Sequence, residues 1–178
     1  MRLRKLSEAF PGEIEIEHRS FILRGEHNPN AKFTEYHLQH RTRARDLTGL
    51  NYNLPQVGSK YPTSSLPALV AAKYVKHDSP DRFECFDTGL FAAFFEGSRD
   101  ISDPAVLAEI AQTCGIDGEK LVASLNGQHL LQQVIADYDS AQSSGITGVP
   151  AVIIGNQLIT GAVPLEDYES ALRSARLS

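Results

Sequence analysis

Apolar residues recur at helical spacing along most of this chain and at strand spacing in only two places. Leu3, Leu6 and Phe10 fall at i, i+3 and i+7 and are stopped by Pro11-Gly12, which predicts a helix over residues 1–10. Glu13-Ile14-Glu15-Ile16-Glu17 alternates strictly and leads into Phe21-Ile22-Leu23, which predicts a strand with one buried face. A Gly/Asn/Pro loop covers 25–30, a polar helix 31–46, and residues 47–61 are irregular. Leu66, Leu69, Val70 and Val75 mark the next helix, with Pro67 tolerable only in its first turn. Ser79-Pro80 opens another, with Phe83, Phe86, Leu90, Phe91, Phe94 and Phe95 on one face, and Gly97 closes it. Ser102 or Asp103 before Pro104 opens a helix with Leu107, Ile110, Ala111 and Cys114 on its stripe and Gly115 after it. A short helix at 118–126 and a longer one at 128–143 follow.

Near the C-terminus, Thr147-Gly148-Val149-Pro150 runs straight into Ala151-Val152-Ile153-Ile154. A Gly155-Asn156 turn and Gln157-Leu158-Ile159-Thr160-Gly161 complete a hairpin pattern. A proline at the mouth of a buried strand removes a ladder donor. A cis Val149–Pro150 bond, with the strand starting just after it, reconciles the two. That arrangement leaves the Val149 backbone at a strand end, free to pair with an extended substrate. A closing helix at 164–176 carries Leu165, Tyr168, Ala171 and Leu172 on one stripe. The strands flank a helical block too long for an ordinary crossover. The expected organisation is a small α/β domain made of residues 1–30 and 128–178, with a helical insertion domain over 31–127.

Composition narrows the function classes. The chain has 178 residues, is 42% hydrophobic and 22% charged, and carries a formal net charge of -5, which reads as a soluble globular protein. The densest basic stretch, Arg41, Arg43 and Arg45, contains no aromatic residue, so no nucleic-acid partner is expected. No apolar run approaches the roughly 20 residues that span a bilayer. The opening Met1-Arg2-Leu3-Arg4-Lys5-Leu6 is basic without an apolar core, so a cytoplasmic location is expected.

Chemistry-bearing residues are few. Cys85 and Cys114 are too few for a disulfide scaffold and do not form a Cys-x-x-Cys. Cys114 lies on an apolar stripe and reads as an inert core thiol. Cys85 lies off its stripe, partly exposed; a disulfide between the two is not expected. His37 and His40 share a helix face but lack a third ligand, and Arg41 and Arg43 would repel a cation, so no metal is expected. There is no Ser-His-Asp order, phosphate-binding glycine loop or nucleotide fingerprint, and no resident cofactor is expected.

The run Gly145-Ile146-Thr147-Gly148-Val149-Pro150-Ala151-Val152-Ile153-Ile154, with Leu158-Ile159-Thr160-Gly161-Ala162 after it, resembles the DsbA-like branch of thioredoxin-fold proteins. That branch includes FrnE-type oxidoreductases and 2-hydroxychromene-2-carboxylate isomerases. The Glu13–Leu23, Pro62–Ala72, Phe83–Asp103 and Leu107–Asp117 segments resemble the family too, so the likeness covers nearly the whole chain. It implies a thioredoxin-like α/β fold with an inserted all-helical domain. It also implies substrate binding by Thr147, Gly148, Val149 and Pro150.

The family's chemistry sits in a Cys-x-x-Cys, or a serine-containing replacement, after a first strand that has no counterpart here. Residue 1 falls inside the helix that would follow. No catalytic residue is therefore carried over, and Met1 is expected to be an internal or misassigned start. Without that middle strand, the Glu13–Glu17 strand and the hairpin would each lose a hydrogen-bonding partner. The implied parent activity is thiol–disulfide oxidoreduction, with a thiol or disulfide substrate. One alternative is a glutathione-dependent isomerase or transferase, with glutathione as substrate against Val149-Pro150. Another is a non-catalytic binding or dimerisation module, in which the exposed strand of one copy pairs with another.

Overall fold

The helices end where the sequence punctuates them. In the computed structural model, which describes residues 2–176, the elements in chain order are α1 (Arg2–Ala9), α2 (Glu35–Thr48), α3 (Leu66–Asp78), α4 (Phe83–Phe91), α5 (Pro104–Thr113), α6 (Gly118–Ser124), α7 (Gln128–Ser143), β1 (Ala151–Ile154), β2 (Gln157–Thr160) and α8 (Leu165–Ala175). Asp103 caps α5 by accepting from the Ala105 amide at 2.9 Å, and Asp117 caps α6 by accepting from Glu119 and Lys120, both at 3.1 Å. Ser79 does not cap a helix directly; a single 3₁₀ turn, Pro80–Arg82, intervenes before α4. α4 then widens into one π turn, Ala92–Glu96, before Gly97. The polar helix begins at Glu35, later than expected, because Thr34 caps it through the His37 amide. Met1, where a misassigned start is suspected, lies outside the described residues. Among the described residues no helix is long and apolar enough to cross a membrane.

The chain divides into two compact units, residues 1–21 with 137–178 and residues 22–136. The division therefore falls at 21/22 and 136/137 rather than at the expected 30/31 and 127/128. Residues 22–30 go with the helical unit, where Arg24 is tied to the two serines that lead into α3. Its amide donates to Ser65 Oγ at 3.1 Å, and its carbonyl accepts from both Ser64 Oγ and Ser65 Oγ at 3.0 Å.

The unit made of the two chain ends packs α1 and α8 against the hairpin. Leu6, Ile154, Tyr168 and Ala171 form its buried centre, with Leu3, Phe10, Val152 and Ile159 around them. The hairpin is antiparallel, with Val152 opposite Ile159 and Ile153 opposite Leu158. Val152 and Ile154 face the core, whereas Ile153 and Leu158 are exposed on the other face.

The expected strand at Glu13–Glu17 is absent. The sheet has two strands, β1 and β2, and residues 14–23 form no ladder. The alternation is nevertheless real as burial, since Ile14 and Ile16 are half-buried and Glu13, Glu15 and Glu17 exposed. A strand needs a partner edge as well as a buried face, and the described residues supply none. The segment is held by a carboxylate instead. Buried Asp137 on α7 accepts from the Ser20 amide at 2.7 Å and from Arg19 at 3.2 Å. The Phe21 ring also stands edge-on to Tyr138, with centroids 5.2 Å apart.

The helical unit has its own core, centred on Ala71 and Val75 of α3, Phe86 of α4, Leu107 and Ala111 of α5, and Leu121 of α6. Here the reading of the cysteines is corrected. Cys85 and Cys114 are joined in a disulfide, with their Cα atoms 5.8 Å apart. Cys114 does face the core, at 6% exposure, but it is not a free thiol. α4 and α5 approach closely because Gly89 offers no side chain where Ile110 sits; an added Cβ would lie 2.7 Å from Ile110 Cγ2. Cys85 stands one turn before Gly89, so the same approach brings it to Cys114.

Candidate functional site

The loop between α7 and β1 is built from its two ends. α7 closes in a Schellman motif: Gly145 adopts φ +77°, its amide donates to Gln142 O at 3.0 Å, and the Ile146 amide donates to Ala141 O at 2.9 Å. Only glycine takes that left-handed conformation without steric cost, so Gly145 sets where the helix stops. At the other end, the Gly161 amide donates to the Pro150 carbonyl at 2.8 Å and ties the loop to the base of the hairpin. Between these anchors run Thr147, Gly148, Val149 and Pro150, and the Val149–Pro150 bond is cis.

These residues are open to solvent. Thr147, Val149 and Pro150 are exposed, Val149 at 50%, and a Cβ on Gly148 would meet nothing within 4 Å. Among the described residues none hydrogen-bonds to the Val149 amide or carbonyl. β1 pairs with β2 only, so its other edge is unpaired among the described residues. No ionisable side chain occurs from Ser140 to Asn156. The loop therefore offers backbone donors and acceptors, one threonine hydroxyl and an exposed valine. It offers no acid, base or nucleophile of its own.

The helical unit holds a second cluster, which sequence reasoning missed. Arg41, part of the densest basic stretch of the sequence, is 6% exposed. Its guanidinium lies 4.5 Å from the Phe94 ring centroid, 5.3 Å from that of Phe33 and 5.4 Å from that of Phe95. It donates to Asn53 O and Phe94 O at 3.1 Å and to Ser98 Oγ at 3.3 Å. The Asn53 amide in turn donates to Phe95 O at 2.7 Å. The π turn frees carbonyls from helical pairing, and Arg41 and Asn53 occupy two of them. A signal for this was present in the sequence: Phe33, His37 and Arg41 recur every four residues, which puts His37 and Arg41 on one face of α2 and Phe33 just before its cap.

His37 and His40 do not converge on a metal position. His37 completes the α2 capping box, its Nδ1 accepting from the Thr34 amide at 3.0 Å, and its ring stacks on Tyr61 with centroids 4.2 Å apart. Burial first, then the charges of Arg24, Arg41 and His40, hold the His37 pKa below its ordinary value. Among the described residues no group of three or more His, Cys, Asp or Glu side chains is placed to hold a metal ion.

The chain belongs to the DSBA-like thioredoxin domain family, whose match covers residues 1–173. It is 27% identical over 175 residues to the uncharacterized protein YwbO of Bacillus subtilis, covering 93% of this chain and 84% of that protein. Two solved structures share its fold. A protein described as a probable DsbA oxidoreductase from Streptomyces coelicolor superposes with a TM-score of 0.80 at 24% identity, over 99% of this chain and 82% of that one. The cytosolic disulfide reductase DsbM of Pseudomonas aeruginosa superposes with a TM-score of 0.60 at 17% identity, over 86% of this chain and 79% of that one. The fold is the thioredoxin-like DsbA fold, mostly helical, with a small two-stranded sheet.

Proposed function

We propose that this member of the DSBA-like thioredoxin domain family carries the substrate-docking part of a thiol–disulfide oxidoreductase, with Thr147, Gly148, Val149 and Pro150 as the docking loop. The observation that carries the reading is the exposed Val149, whose amide and carbonyl have no partner among the described residues, at the start of a strand with an unpaired edge. An extended peptide bearing a thiol or disulfide would pair with those two groups as a short added strand. Gly148 leaves room for its backbone. The chain contributes docking without a Cys-x-x-Cys, because its two cysteines are 29 residues apart and bonded to each other in the helical unit.

The test is a titration of the isotope-labelled chain, followed by amide chemical shifts, with a cysteine-containing peptide in mixed-disulfide form and separately with glutathione. Saturable shifts confined to 147–149 and 161 support docking. Shifts with glutathione alone would favour the isomerase or transferase reading, and shifts produced only by raising the protein concentration would favour pairing of two copies. Shifts absent from the loop in every arm would end the proposal. Insulin disulfide reduction centred on this loop is not expected from the chain as it stands.

A further inference from the structure

We propose that Cys85 is a thiol-exchange site, at which a small-molecule thiol opens the Cys85–Cys114 bond, and that Cys114 is the resolving partner that closes it again. The inference does not depend on the docking loop; it rests on the unequal settings of the two sulfur-bearing residues. Cys85 is exposed on α4, whereas Cys114 is 6% exposed at the end of α5 and packs in the core of the helical unit. Attack on a disulfide proceeds in line with the bond being broken. A thiolate arriving from solvent therefore reaches the Cys85 sulfur from the side opposite Cys114, while in-line attack on the Cys114 sulfur would have to come from the side opposite Cys85, out of the packed core.

The chemistry balances with a thiol as co-reactant. In the first step a sulfur–sulfur bond forms between the incoming thiolate and Cys85, and the Cys85–Cys114 bond breaks. The electron pair leaves on Cys114, which takes up a proton from water. In the second step another thiolate attacks the mixed disulfide and leaves Cys85 as a thiolate. Two small thiols have then become one small disulfide, and the protein disulfide has gained two electrons. If no second thiol arrives, Cys114 loses its proton, returns to Cys85 and expels the first thiol.

Position gives the exchange a consequence. The disulfide clamps α4 to the end of α5, and α4 continues into the π turn whose carbonyls hold Arg41 and Asn53. Opening the bond removes that covalent clamp from the helix on which the aromatic cluster is mounted. The redox state of the surrounding thiol pool is thereby read into the packing of the helical unit.

The experiment exposes the oxidised full chain to excess reduced glutathione without denaturant, quenches with acid, and maps adducts by peptide mass spectrometry. One glutathione on the Cys85 peptide and none on the Cys114 peptide is the expected result. The fully reduced chain is then alkylated with iodoacetamide, and Cys85 should react at least about tenfold faster than Cys114. A bond that stays closed while the chain remains folded, an adduct on Cys114, or equal alkylation rates would each overturn the assignment. Cys114→Ser should accumulate a stable Cys85–glutathione disulfide on exposure to oxidised glutathione, and Cys85→Ser should remain unmodified until unfolded. Should either variant fail to fold, the wild-type adduct map and alkylation ratio decide the matter alone.

Discussion

Gly89 of α4 faces Ile110 of α5 so closely that a Cβ on the glycine would lie 2.7 Å from Ile110 Cγ2. Real Cβ atoms do not tolerate that separation, and a β-branched isoleucine cannot swing away, because its χ1 is stiff within a helix. Two effects of opposite sign meet at this position. Replacing glycine by alanine inside a helix ordinarily stabilises by about 1 kcal/mol. Overpacking a filled core costs about 1–3 kcal/mol. The contact should win, so Gly89→Ala is expected to lower the unfolding free energy, by up to about 2 kcal/mol, in urea denaturation of the oxidised chain. An unchanged or raised midpoint would mean that α5 yields at Ile110.

The Arg41 cluster leads to a second expectation. Arg41→Met keeps apolar volume among Phe33, Phe94 and Phe95 but strips the donors from Asn53 O, Phe94 O and Ser98 Oγ. Buried acceptors left unpaired cost about 1–3 kcal/mol each. The substitution should therefore destabilise the chain by about 3 kcal/mol or more, which equilibrium unfolding would measure. Arg41→Lys should recover only part of the loss, since an ammonium cannot span the fork of acceptors. Equal stability of wild type and the methionine variant would show that the carbonyls find other donors.

What the sequence revealed, and what it hid, divides along a physical line. Helix limits were legible because they are local: Asp103 before Pro104, Gly115 and Gly97 act on their own neighbours. The cis Val149–Pro150 bond was legible for the same reason, from a proline at a strand mouth. The strand at Glu13–Glu17 was misread because alternation reports a buried face, and says nothing about whether an edge is available to pair. The disulfide was missed because it depends on a helix–helix approach that Gly89 permits across space. Arg41 looked like Arg43 and Arg45, and only its four-residue spacing from His37 and Phe33 set it apart.

His37 makes stability depend on pH. Its folded-state pKa lies below the ordinary histidine value, burial being the first cause and Arg24, Arg41 and His40 following. The unfolded chain therefore binds a proton before the folded one does. Stability is full above the unfolded value of about 6.5 and falls as the pH drops below it. Protonation would also set a ring N–H against the Thr34 amide that Nδ1 now accepts from. His37→Gln keeps a capping-box acceptor at the same position without a titrating ring. Between about pH 7.5 and 5.5 the wild type should lose more of its urea midpoint than the glutamine variant; equal losses would assign the pH dependence elsewhere.

Gly148 differs from Gly89 in having nothing within 4 Å of its would-be Cβ, so its lack of a side chain is not demanded by packing. Gly148→Val adds a branched side chain to an exposed loop, and folding stability should change by less than about 0.5 kcal/mol. If an extended peptide lies along Val149, the same branch stands where its backbone must approach. Docking of the mixed-disulfide peptide should then weaken by about tenfold, equivalent to about 1.4 kcal/mol, as read from the chemical-shift titration. The two measurements separate the roles of the residue. Lost stability with unchanged docking would make Gly148 structural. Lost docking with unchanged stability would place an incoming chain beside Val149, where the backbone is open and side chains offer little to hold it.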